Sequence, residues 1–163
     1  MPDTVPMLHL LCGKPAAGKS TLASDLLSQH PGVLIAEDAW LHALYGDQMS
    51  TLSDFVRCSA KLRQIMAPHI TDLLRQGLSV VLDFQANTTQ SRAWMRHLLE
   101  QSGAAHQLHF LDTPDDICLS RLRARNASGE HEFQTSDDDF RRVAAHFVPP
   151  TADEGFNIVV YRP

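Results

Sequence analysis

The segment Gly13-Lys14-Pro15-Ala16-Ala17-Gly18-Lys19-Ser20-Thr21 contains the pattern G-x-x-x-x-G-K-[ST], which ends at Ser20. Such a segment needs a strand to deliver the chain to a tight loop and a helix to carry it away, so that backbone N–H groups converge on one point. Both flanks are present. Met7-Leu8-His9-Leu10-Leu11-Cys12 reads as a short buried strand, and Ser20 to Leu27 reads as a helix. The glycines let N–H groups curl around a triphosphate. Lys19 would reach the β- and γ-phosphates, and the Ser20 hydroxyl would ligate Mg²⁺. The free N–H groups and dipole of the helix start favour an anion there. Two of the three lysines in the chain, Lys14 and Lys19, lie inside this segment.

Strand and helix patterns alternate along the rest of the chain. The first helix closes at His30-Pro31-Gly32. Val33 to Ala36 is a second strand, followed by a variable segment through Asp47. Thr51 caps a helix with Asp54 in its first turn. Phe55, Leu62, Ile65, Met66, Ile70, Leu73 and Leu74 recur along it at helical spacing, Pro68 is expected to bend or split it, and Gly77 ends it. Leu78 to Phe84 is a third strand, Ser91 to Gln101 a helix, and His106 to Leu111 a fourth strand. Pro114 to Arg125 is helical, Asn126 to Ser136 a polar loop, Asp137 to Phe147 a last helix and Phe156 to Tyr161 a fifth strand. This interleaving implies a parallel sheet with helices on both faces. Ligands of such sheets bind beyond the C-terminal strand ends, where the phosphate loop, Asp38, Asp83 and Asp112 all fall.

A chain of 163 residues suits one domain with a full core. We expect a single domain over 1–163 with a short lid around 126–136. The net charge of −5 argues against a general nucleic-acid binder. Cys12, Cys58 and Cys118 are scattered, without metal-ligand spacing, and read as buried reduced thiols of a cytoplasmic protein. No signal peptide is visible, and no apolar run approaches the roughly 20 residues needed to span a bilayer. The nine histidines show no metal spacing.

Several side chains are candidates for chemistry. Asp83, closing an apolar strand, is placed to hold Mg²⁺. Asp38, at the end of strand two, would take the proton of an attacking hydroxyl, or else cap the following helix. Alternation along the strand points Glu37 elsewhere. Arg121 and Arg125 share a helical face before the polar loop, which suits charge stabilisation and clamping, or simply a basic helix end. Arg92, Arg96, Arg123 and Arg141 add guanidiniums of the kind that grip phosphates. Asn87 and Arg92 are candidates for substrate contact, whereas Arg57 and Arg63 read as surface residues. His131 and Glu132 could enter the site on loop closure. Pro149-Pro150 either lines an adenine pocket or shapes a loop.

Together the phosphate loop with Leu11-Cys12 before it, the Asp38 strand end, Val80-Val81-Leu82-Asp83 and Arg121-Leu122-Arg123-Ala124-Arg125-Asn126 resemble the P-loop small-molecule kinases. They are most similar to the AAA_33-type "predicted kinase" group, related to polynucleotide 5′-kinase, chloramphenicol phosphotransferase and the zeta toxins. The resemblance implies five parallel strands in order 2-3-1-4-5, ATP and Mg²⁺ as cofactors, and transfer of the γ-phosphoryl group to a hydroxyl of a small-molecule acceptor. It implies that Gly13 to Thr21 and Arg125 bind nucleotide, that Ser20 and Asp83 bind the metal, and that Lys19, Asp38 and Arg121 are catalytic. The protein would act as a monomer or homodimer. Trp40-Leu41-His42 stands where several relatives carry an arginine, on a segment that lines their acceptor side. A nucleic-acid end kinase and a nucleotide-dependent regulatory ATPase are the alternatives.

Overall fold

A computed structural model describes residues 5–129 and 134–163. In chain order it contains β1 (Met7–Cys12), α1 (Lys19–Gln29), β2 (Val33–Ala36), α2 (Glu37–Tyr45), α3 (Leu52–Arg75), β3 (Val80–Asp83), α4 (Thr89–Ser102), β4 (Ala105–Leu111), α5 (Asp115–Ser128), α6 (Asp137–His146) and β5 (Ile158–Tyr161). The strands form one parallel sheet in the order β2-β3-β1-β4-β5, as expected.

The sheet is covered on both faces, which explains the continuous apolar runs. Side chains alternate along β1. Leu8, Leu10 and Cys12 pack with Leu62, Met66 and Ile70 of α3 and Met95 and Leu98 of α4. Leu11 turns the other way, onto Ala23 and Leu26 of α1 and Val81. A further cluster joins Ala17 and Leu111 to Cys118 and Leu122 of α5 and Phe140 of α6. All three cysteines are free and buried. β1 lies between β3 and β4, with Leu10 level with both Leu82 and Leu108. The loop after β1 and the carboxylate ending β3 therefore emerge side by side.

Several expectations are corrected. β2 ends at Ala36, so Asp38 is not at a strand end. It occupies the first turn of α2, which begins at Glu37. Pro68 does not split α3, which runs unbroken for 24 residues. Both halves are pinned to the same core through Leu62, Met66, Ile70 and Leu74. Gln64, whose carbonyl loses its helical partner to the proline, is exposed. Ile65, expected on the apolar face, is 62% exposed. The polar stretch after Arg125 stays helical to Ser128 before Gly129, with φ 69°, ends α5. Of the expected lid, residues 130–133 lie outside the described residues, His131 and Glu132 among them. Among the described residues, no helix is long and apolar enough to cross a membrane.

Candidate functional site

A cavity of about 1800 Å³ opens at the C-terminal edge of the sheet. Residues 15–22 form its floor. The carboxylates Asp38 and Asp83 line it, Arg121, Arg125 and Arg142 reach it from α5 and α6, and α3 with residues 85–94 closes the opposite side.

The floor is shaped by backbone conformation. Ala16 has φ 62° and Gly18 has φ 109°, so successive N–H groups turn inward. A side chain at Gly13 would stand 3.1 Å from Ala17 Cβ and 3.3 Å from the Leu111 carbonyl. The glycine there lets the loop lie flat on β4. α1 starts at Lys19 with no side-chain cap and no acidic residue in its first turn. Its N-terminal N–H groups therefore face the cavity without an internal anion to neutralise them.

Lys19 Nζ donates to the carbonyls of Gly13 (2.8 Å) and Lys14 (3.0 Å). Burial holds its ammonium below the ordinary lysine value, while Asp83 and Asp38 work in the opposite direction. Lys14 turns away from the loop centre. Its ammonium sits 2.5 Å from Asp115 and lies over the Phe147 ring.

The Ser20 hydroxyl donates to Asp83 Oδ2 at 3.3 Å. A hydroxyl and a carboxylate at a helix start suit a hard divalent cation that takes its remaining ligands from phosphates and water. Among the described residues no cluster of three His, Cys, Asp or Glu could hold a metal by itself. The pair thus fits Mg²⁺ carried in with a nucleotide.

Asp38 is electrostatically coupled to Lys19 and to Arg125, favouring the charged form of each. Burial pulls the Arg125 guanidinium below its usual range, and its Nε is buried without a partner among the described residues. Arg121 donates to the Ala17 carbonyl at 3.4 Å. The structure thus gathers Pro15 to Thr21, Asp38, Asp83, Arg121 and Arg125 around one space.

Other candidates fall elsewhere. Asp112 lies outside the cavity, 3.3 Å from Arg162. Arg92 is not a substrate contact. It is 1% exposed, with Nε on Glu154 at 2.7 Å and Nη1 on the Ala86 carbonyl at 2.8 Å. Arg96 and Arg141 pair with exposed carboxylates, and Arg123 with the half-buried Asp137. Arg57 pairs with Asp54 on the surface, as expected. Pro149 and Pro150 do not line the cavity, nor do Trp40, Leu41 and His42. Leu41 is core, and Trp40 is 40% exposed on the outside of α2.

The side of the cavity formed by α3 and residues 85–94 includes residues that the sequence reading had set aside. Arg63, read as a surface residue, is only 14% exposed in its side chain and stands 3.5 Å from Glu37. It donates to the Gln85 carbonyl at 2.8 Å and lies over the Trp94 ring. Glu37 is 2% exposed and accepts from Ser59 Oγ at 2.5 Å and from the Gln85 N–H at 3.3 Å. One signal was available: Phe55, Ser59 and Arg63 fall at i, i+4 and i+8 along the border of the Cys58, Leu62 and Met66 stripe.

A protein-family model described as an AAA domain (AAA_33) matches residues 8–150. No curated protein sequence matches the chain. Among solved structures, a candidate kinase of Chloroflexus aurantiacus is similar, with a TM-score of 0.76 at 20% identity over 97% of this chain and 85% of that one. The APS kinase of Mycobacterium tuberculosis, in complex with AMPPNP and APS, gives a TM-score of 0.66 at 21% identity over 98% of this chain and 89% of that one. An unliganded sugar kinase from a Janibacter species gives 0.66 at 15% identity over 98% and 86%. At these identities the likeness is one of fold.

Proposed function

The chain belongs to the AAA_33 family of AAA domains, and from that premise we propose that it is an ATP-dependent phosphotransferase acting on a hydroxyl of a small molecule. The observation that carries the reading is the convergence of Lys19, the Ser20–Asp83 pair, Asp38 and two arginines on a cavity with a second, differently built side. Its fold neighbours include kinases for APS and for a sugar. We read residues 1–163 as one domain on the same grounds.

In-line phosphoryl transfer asks for positioning and charge neutralisation more than for covalent help. The inward N–H groups of the loop cradle the phosphates, and Lys19 leaves the loop carbonyls to meet the β- and γ-oxygens. Ser20 and Asp83 would hold Mg²⁺, which when bound offsets phosphate charge. Asp38 orients the acceptor hydroxyl and takes its proton. Arg121 and Arg125 bring positive charge to the transferring group from α5.

The test is ATP consumption with Mg²⁺, with and without fractions of a small-metabolite and oligonucleotide pool. Wild type should be stimulated by one fraction. Asp38→Asn should lower that turnover by about 10²–10⁴-fold while still binding ATP, and Lys19→Ala should lose transfer. Slow hydrolysis indifferent to every fraction and to Asp38→Asn would overturn the base assignment and favour a nucleotide-dependent regulatory ATPase. Stimulation confined to oligonucleotides would favour an end kinase.

A further inference from the structure

Granting the kinase reading, the acceptor side of the cavity restricts what the acceptor can be. Among the described residues lining the cavity on that side, Arg63 is the single cation. Its charge is already engaged. Glu37 stands 3.5 Å away, and Ser59 Oγ accepts from its Nε at 3.4 Å. Drawing Arg63 onto an anionic acceptor would strand Glu37, a carboxylate only 2% exposed, without its counter-charge. The other cations of the cavity, Lys19, Arg121, Arg125 and Arg142, come from the phosphate loop, α5 and α6, where the triphosphate would engage them, and Asp38 adds negative charge where the acceptor hydroxyl would sit.

The rest of the lining on the side of α3 and residues 85–94 is neutral among the described residues. Phe55 and Trp94 offer an apolar wall. Asn87 is 4% exposed, lines the cavity, and its Oδ1 has no hydrogen-bond partner among the described residues. Its backbone is fixed on both sides. The carbonyl accepts from Val148 N–H at 2.8 Å, and the N–H donates to Gln85 Oε1 at 3.4 Å. A buried amide oxygen held in place and left unmatched costs free energy until a donor meets it.

We propose that the acceptor is an uncharged hydroxyl compound with an apolar face, and that Asn87 Oδ1 receives one of its hydrogen-bond donors. The Glu37–Arg63 pair then sets specificity: it engages the guanidinium that, among the described residues on the α3 side, would otherwise welcome a phosphate or sulfate. The favoured class is the free sugar or nucleoside, and the disfavoured class is the phosphorylated sugar, nucleotide or polynucleotide end.

Trp94 is the natural reporter, since Trp40 lies outside the cavity and can be replaced by phenylalanine. The Trp40→Phe protein is saturated with Mg²⁺ and a non-hydrolysable ATP analogue, whose binding is followed separately by calorimetry. Free nucleosides and hexoses are then titrated beside their 3′- and 1-phosphates. We expect a neutral compound to change Trp94 fluorescence and its charged counterpart to bind at least about tenfold more weakly. Asn87→Ala should weaken the neutral compound about tenfold with analogue binding intact. Glu37→Gln, which frees the Arg63 charge, should bring the two affinities together. A charged compound binding as well as its neutral partner would overturn the proposal, and so would silence from every neutral compound at millimolar concentration. Either result, with the analogue bound, leaves the kinase reading standing. Failure to bind the analogue removes both.

Discussion

Arginine shows how little a residue type says before its neighbours are known. Arg57 and Arg63 lie six positions apart on α3. Arg57 reaches Asp54 in solvent, whereas Arg63 turns inward to Glu37, Gln85 and Trp94. Arg92, a plausible phosphate ligand by type, is a structural brace. It ties the Ala86 carbonyl, which also accepts from the Cys12 thiol, to Glu154 in the turn before β5. Removing it strands Glu154 and unpins the loop that carries Gln85 and Asn87. Arg92→Ala should cost about 3 kcal/mol in urea unfolding, and Arg57→Ala no more than about 0.5 kcal/mol. Equal effects would mean that the buried pair contributes no more than the surface one. That Ser20, Asp83 and Asp38 would meet beside the phosphate loop was legible, because Ser20 opens the helix after β1, Asp83 closes β3 and Asp38 follows two residues after β2. Glu37 was not, because strand alternation was applied to a residue that begins a helix.

At the scale of elements, caps and breakers marked most boundaries within a few residues. Thr51 and Asp54 form a reciprocal cap, with Asp54 N–H on Thr51 Oγ1 at 3.1 Å and Thr51 N–H on Asp54 Oδ2 at 3.3 Å. Thr88 caps α4 and Ser136 caps α6 one way only, their hydroxyls accepting from the Ser91 and Asp139 N–H groups. The α3 cap matters for the site, since Thr51 and Leu52 border the cavity mouth. Thr51→Ala should destabilise the protein by about 1 kcal/mol, read as a lower thermal midpoint, with Thr51→Ser restoring most of it. An unchanged midpoint would show that packing of Leu62 and Met66 alone fixes the start of α3. Pro68 does not split α3, because the helix is held on both sides of it by the core.

At the scale of the whole molecule, β1, β4 and β5 are joined by a chain of polar rings, the buried His9 and His109 and the half-buried Tyr161. His9 Nδ1 meets His109 Nε2 at 3.0 Å, and His109 Nδ1 meets the Tyr161 hydroxyl at 2.8 Å. Burial, and then the charge of His9, lowers His109 from its ordinary 6.5 to about 4. Between those values the unfolded chain binds the proton and the folded chain does not, so stability rises with pH. It is fully present above about pH 6.5 and is lost as pH falls towards 4. Thermal midpoints should therefore drop from about pH 7 to about pH 5, and drop less in His109→Gln; parallel profiles would rule the network out as the cause. By itself the sequence determined the parallel α/β class, the phosphate loop and the carboxylates beside it. Those rest on periodicity and on offsets within a single strand–loop–helix unit, which are local in the chain. Only the tertiary structure decided that Asp112 stands apart, that Arg92 is a brace, and that Glu37, Arg63 and Asn87 shape the far side of the cavity. Those outcomes depend on which helix face meets which strand end, a packing choice spread over residues far apart in the chain.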